Sequence, residues 1–65
     1  MSLNSEKMKE VVRAKMGRVR AELDKPHDDE RSAKLSHLYI LLANFLEAIS
    51  PGEGAKVLID WIEAD

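Results

Sequence analysis

"LYILLANFL", residues 38–46, places seven large apolar side chains in nine consecutive positions of a chain only 65 residues long. How these side chains are covered decides the fold. Ala, Leu, Glu, Lys and Met dominate the surrounding sequence, and β-branched residues are sparse until the last segment, a composition that favours helix. On a helix the run supplies a principal face of Leu35, Leu38, Tyr39, Leu42, Phe45, Leu46 and Ile49, extended on one side by Leu41 and Ala48. Ile40 falls opposite, among Ser36, His37, Ala43, Asn44 and Glu47. With Ala33 and Ala43 beside it, it is either an ordinary exposed isoleucine or the mark of a second contact surface.

Punctuation on either side frames this helix. Pro26 disfavours helical geometry at Lys25 and ends a first helix expected over about residues 6–24, with Asn4 or Ser5 as its N-cap. The second helix, over about 28–49, opens on "HDDERS", whose acidic residues at 28–30 suit the positive end of the helix dipole. Glu30 and Lys34 form a well-oriented i,i+4 pair. In "SPGE", residues 50–53, Ser50 as N-cap, Pro51 at the first helical position and Glu53 three residues after the serine read as a capping box. This starts a third helix over about 51–63, slightly weakened by Gly54. The fold expected is a single all-α domain, residues 1–65: an antiparallel helical hairpin plus a short third helix.

Outward from the second helix, apolar demand exceeds supply. Met8, Val12, Met16, Val19 and Leu23 of the first helix share an arc of about 80°, enough to cover one face of one partner. Val57, Leu58, Ile59, Trp61 and Ile62 spread over about 200° of the third, wider than the edge of a monomer requires. Two copies, four long helices from two hairpins, enclose this surface better than one, so assembly into a dimeric bundle is expected. A compact monomer with an apolar patch for another protein is the rival. The residues expected to carry self-association or partner contact are Leu38, Ile40, Leu41, Phe45, Val57, Leu58 and Trp61.

Size points the same way. At 65 residues, burial and lost conformational entropy come out close to even, and small domains escape that margin with disulfides, metals or self-association. The chain has no cysteine, which excludes disulfides, leaves a structural zinc no thiolate and suits a reducing cytoplasm. Residues 1–25 carry seven Lys/Arg against four Asp/Glu (+3), and residues 26–65 carry three against eight (−5). Mutual neutralisation of a basic first helix by acidic later ones accounts for this. The apolar stretch over 38–49 is interrupted by Asn44 and Glu47 and is too short to span a bilayer, which takes roughly twenty residues. The start, "MSLNSEKMKEVV", lacks the apolar core of a signal peptide, and Met1–Leu3 carries no functional expectation.

Chemistry is sparse. "HDDE", 27–30, cannot converge four successive side chains on one ion, and capping by Asp28 explains it. Ser36 and His37 diverge by about 100° on a helix, so they make no nucleophile–base dyad. Asp60 and Glu63 read as a solvated strip, and "PGEG" is no phosphate loop. No catalytic residue, metal site or cofactor is therefore expected. The functional expectation is a non-enzymatic protein-interaction or regulatory module acting as a homodimer. The alternative is a nucleic-acid-binding regulator that uses Lys9, Arg13 and Arg20 on the basic first helix, although Arg18–Glu22 and Arg20–Asp24 pairs interleave that charge. Ala14, Gly17 and Ala21, away from the apolar stripe, are either plain exposed positions or the approach site of another helix.

Overall fold

The computed structural model describes residues 5–64, and these form three α-helices: α1 (Ser5–Leu23), α2 (Asp29–Ile49) and α3 (Glu53–Glu63). Asn4, one of the two expected caps of α1, lies outside the described residues, and Ser5 is the first helical residue. Between α1 and α2 the chain turns at Pro26. There the half-buried His27 ring places Nε2 2.7 Å from the Glu22 carbonyl, which also accepts from the Lys25 amide at 3.1 Å as α1 ends. Asp28 caps α2 as its sequence suggests, accepting a hydrogen bond from the Arg31 amide at 2.8 Å.

α2 is the central element. α1 packs on it along one flank and α3 along another, while α1 and α3 make no backbone approach to each other. The apolar stripe of α1 is used as its period requires: Val12, Met16 and Val19 are buried, and Leu23 packs beside them. From α2 the core takes Tyr39, Ala43 and Leu46, with Leu35, Leu38, Leu42 and Ile49 half-buried around them. From α3 come Val57, Leu58 and Trp61. The Trp61 ring meets Tyr39 at a centroid distance of 4.8 Å and a tilt of 59°, a geometry worth about 0.5–1.5 kcal/mol beyond its area.

Ala43 corrects the sequence reading, which set it on the outer side with Ile40. It has no exposed surface at all. The cause is Gly54, itself buried: a β-carbon there would collide with the Ala43 carbonyl oxygen and come within 2.7 Å of the Glu47 backbone nitrogen and Cβ. Gly54 is thus the point at which α3 rests on the backbone of α2, rather than a weak spot in α3. Gly17 is the opposite case: apart from the backbone of its own helix, no described residue comes within 4 Å of where its β-carbon would stand.

The two glycines therefore predict effects of opposite sign. Gly54→Ala should destabilise the fold by about 2 kcal/mol, because overpacking outweighs the helix-propensity gain. Gly17→Ala should stabilise it by about 1 kcal/mol. Urea denaturation with an unchanged m-value measures both, and a neutral Gly54→Ala would refute the close approach.

Candidate interaction surface

The joint between α2 and α3 departs from the capping box expected in "SPGE". Ser50 is the C-cap of α2, its amide bonded to the Leu46 carbonyl at 2.8 Å, and α3 starts only at Glu53. The Glu53 amide donates to the Ser50 carbonyl at 3.0 Å, and Gly52 has φ 92° and ψ −26°. These are the hydrogen bond and the positive φ of a type II turn with Pro-Gly at its centre, a conformation that glycine adopts without strain. The Ser50 hydroxyl donates to the Glu53 carboxylate at 3.2 Å instead of capping an amide.

The amides at the start of α3 are met by Glu47, from the last turn of α2. One of its carboxylate oxygens accepts from the Gly52 amide at 2.7 Å and the other from the Ala55 amide at 2.9 Å. These bonds, the first from Gly52 and the second from Ala55, hold the Glu47 carboxyl below its ordinary pKa. The positive end of the α3 dipole adds to the fit. Glu53 also ties α3 to α1: Arg13 forks onto its carboxylate through two hydrogen bonds of 2.6 Å. The hydrogen bond from Arg13 lowers the Glu53 pKa and raises that of Arg13.

The basic residues considered for nucleic acid are thus partly engaged. Arg13 is taken by Glu53, Lys9 pairs with Glu6 at 3.0 Å, and Arg20 has no ion pair among the described residues. Glu22 takes Lys25 at 2.9 Å rather than Arg18, and the Lys25 hydrogen bond lowers its pKa. Glu30 and Lys34 approach to 3.5 Å on the exposed start of α2. Among the described residues no group of three His, Asp or Glu is placed to hold a metal ion, and none of the helices is long and apolar enough to cross a membrane.

The seven residues expected at an interface divide into two sets. Leu38, Val57, Leu58 and Trp61 are half-buried and pack on the chain's own core. Ile40, Leu41 and Phe45 remain exposed, at 40%, 51% and 46%. They are joined by Val11, Ile59 and Ile62 at 56%, 52% and 69%. Val11 was missed because it lies off the stripe of α1, on its flank. Its neighbour across the helix pair is Phe45: Met8, Val11, Val12 and Phe45 line one groove between α1 and α2, and Leu41 lies one turn from Phe45 along α2. Ile59 and Ile62 lie on α3, close to Asp60 and Glu63. No family model, curated protein or solved structure matches the chain, so its function has to be read from its own geometry.

The joint sets a pH dependence. Glu47, Glu53 and Glu22 all have depressed pKa values in the fold, so the native state binds fewer protons than the unfolded chain. Their contribution is complete above the ordinary carboxylate value of 4.5 and is lost as pH falls through the lower folded values. Thermal melts between about pH 6 and 3 should show Tm falling on acidification, and Glu47→Gln should make that fall shallower. A variant that parallels the wild type across the range would remove Glu47 as a contributor.

Proposed function

We propose that the chain is a non-enzymatic interaction or regulatory module that works as a homodimer and binds by helix-to-helix contact. The observation that carries this reading is the imbalance of its apolar surface. Among the described residues only six form the buried core, while six large hydrophobic side chains stand 40–69% exposed. The Cα radius of gyration, 12.5 Å, exceeds the roughly 11 Å of a compact domain of this length. The accessible surface, 4846 Å², exceeds the roughly 4,200 Å² of a folded monomer of 7.3 kDa.

The acid–base side chains support the same reading, because Glu47 and Glu53 are engaged in joining α3 to α2 and α1, and Glu22 and His27 in the turn that follows α1. The nucleic-acid alternative is weakened by the engagement of Arg13 and Lys9 within the chain. A cytoplasmic setting belongs to this proposal on the absence of cysteine alone.

Light scattering over a dilution series tests the proposal. The expected result is twice the 7.3 kDa chain mass, giving way to the monomer only at low concentration. A mass of one chain at every concentration overturns the homodimer.

A further inference from the structure

Charge is unevenly spread around α1. Lys7 and Lys15 stand one turn on either side of Val11, within about 40° of it on the helix, and Arg18 follows two turns on, within about 20°. Glu6 and Glu10 fall about 140° and 100° away. Neutralisation by the later helices reaches only the other flank. Arg13–Glu53 is the one ion pair between α1 and another helix among the described residues, and Lys15 and Arg18 enter none. Beside this cationic row lies the open groove of Met8, Val11, Val12 and Phe45, with Leu41 exposed one turn along α2. Lys34, two turns before Leu41 on the same side of α2, extends the row. The acids at that end, Glu22 and Glu30, already hold Lys25 and Lys34. We infer that this face docks an acidic amphipathic helix of another protein, with an apolar side chain of that helix in the groove at Phe45 and its carboxylates against Lys15 and Arg18.

The docking face rests on the reading of the chain as an interaction module and names the partner of one of its surfaces. Charge selects the occupant. In a chain of net charge −2, an apolar groove bordered by Lys7, Lys15 and Arg18 is complementary to a surface that is both apolar and anionic. A second copy presenting the same face would bring each of these cations toward its like, so the homodimer is left to the other faces. Nucleic acid would satisfy the cations, but its phosphates gain nothing from Val11, Leu41 and Phe45 at the centre. An anionic bilayer shares the charge and has no side chain to fill a groove. An amphipathic helix supplies both parts at once: an apolar stripe for the groove and glutamates or aspartates at the positions beside it. Helices of 19 and 21 residues, α1 and α2 give it a bed of about five turns.

A synthetic helix of about three heptads tests this, with leucine at a and d, alanine elsewhere, and glutamate at e and g to keep it from pairing with itself. Fluorescence anisotropy of the labelled peptide is followed as the full chain is added. The same peptide with lysine for glutamate, phosphatidylglycerol vesicles and duplex DNA are run beside it. Val11, Lys15 and Arg18 are exposed, so Val11→Asp and the pair Lys15→Glu with Arg18→Glu should keep the helicity of the wild type by circular dichroism. The neutral pair Lys15→Gln with Arg18→Gln repeats the test with a milder change. The glutamate peptide is expected to bind, more weakly as salt rises, and the lysine peptide is not. Val11→Asp and the Glu pair should each raise the dissociation constant about tenfold or more, the Gln pair less, and Ile62→Asp should leave it unchanged. No binding of the glutamate peptide, binding indifferent to these variants, or tighter binding of vesicles or DNA than of the peptide overturns the proposal. Light scattering on the chain alone reads the homodimer separately, so either can fall while the other stands.

Discussion

The arrangement depends on one joint, where the last turns of α2 receive the first turn of α3. Gly54 lets α3 settle on the Ala43 carbonyl and the backbone of Glu47, and the Glu47 carboxylate takes the Gly52 and Ala55 amides. Contact and cap reinforce each other: the close approach brings Glu47 within reach of the α3 amides, and the hydrogen bonds hold the backbones together. Because α3 is folded back at this point, Trp61 reaches Tyr39 and Val57 enters the core. Arg13 then ties the same end of α3 to α1 through Glu53.

That joint also explains why the molecule does not close on itself. α3 has 11 residues, about 16 Å of helix, against the roughly 31 Å of the 21-residue α2. Anchored at the C-terminal end of α2, it covers one flank there, and its backbone does not come close to that of α1. On the opposite flank Phe45 shares an open groove with Met8, Val11 and Val12 of α1, and Leu41 lies exposed one turn along α2. A chain with so small a core gains much from covering that flank. This is the physical link between a fold of three short helices and the proposal that it works by association.

Much of the fold was legible in local sequence. The stripe of α1 reappears as buried Val12, Met16 and Val19, because a 3.6-residue period forces those positions to one side whatever lies opposite. Asp28 caps α2 because a short acceptor before a helix needs only its own next residues. "SPGE" was misread because two local rules compete: serine and glutamate three apart suggest a capping box, while Pro-Gly suggests a type II turn. The turn prevails because Glu47, outside the motif, supplies the acceptor the amides of α3 need. The Pro-Gly pair was the signal available in the sequence; the role of Glu47 had no such signal.

The candidate surface was legible only in part. Apolar excess is a property of composition, and Ile40, Leu41 and Phe45 are exposed on the helix to which the sequence assigns them. Which apolar residues are consumed inside depends on where the neighbours land: Leu38, Val57, Leu58 and Trp61 turn to the core, while Val11 remains outside. By itself the sequence determined three helices, their approximate limits and a surplus of apolar surface, because periodicity, proline and end-capping act within a few residues. Only the tertiary structure decided that Ala43 is interior, that Gly54 is a contact, that Glu47 is a cap and that Phe45 faces Val11. Each of these depends on a backbone or side chain brought close from another helix, and no local pattern encodes that distance.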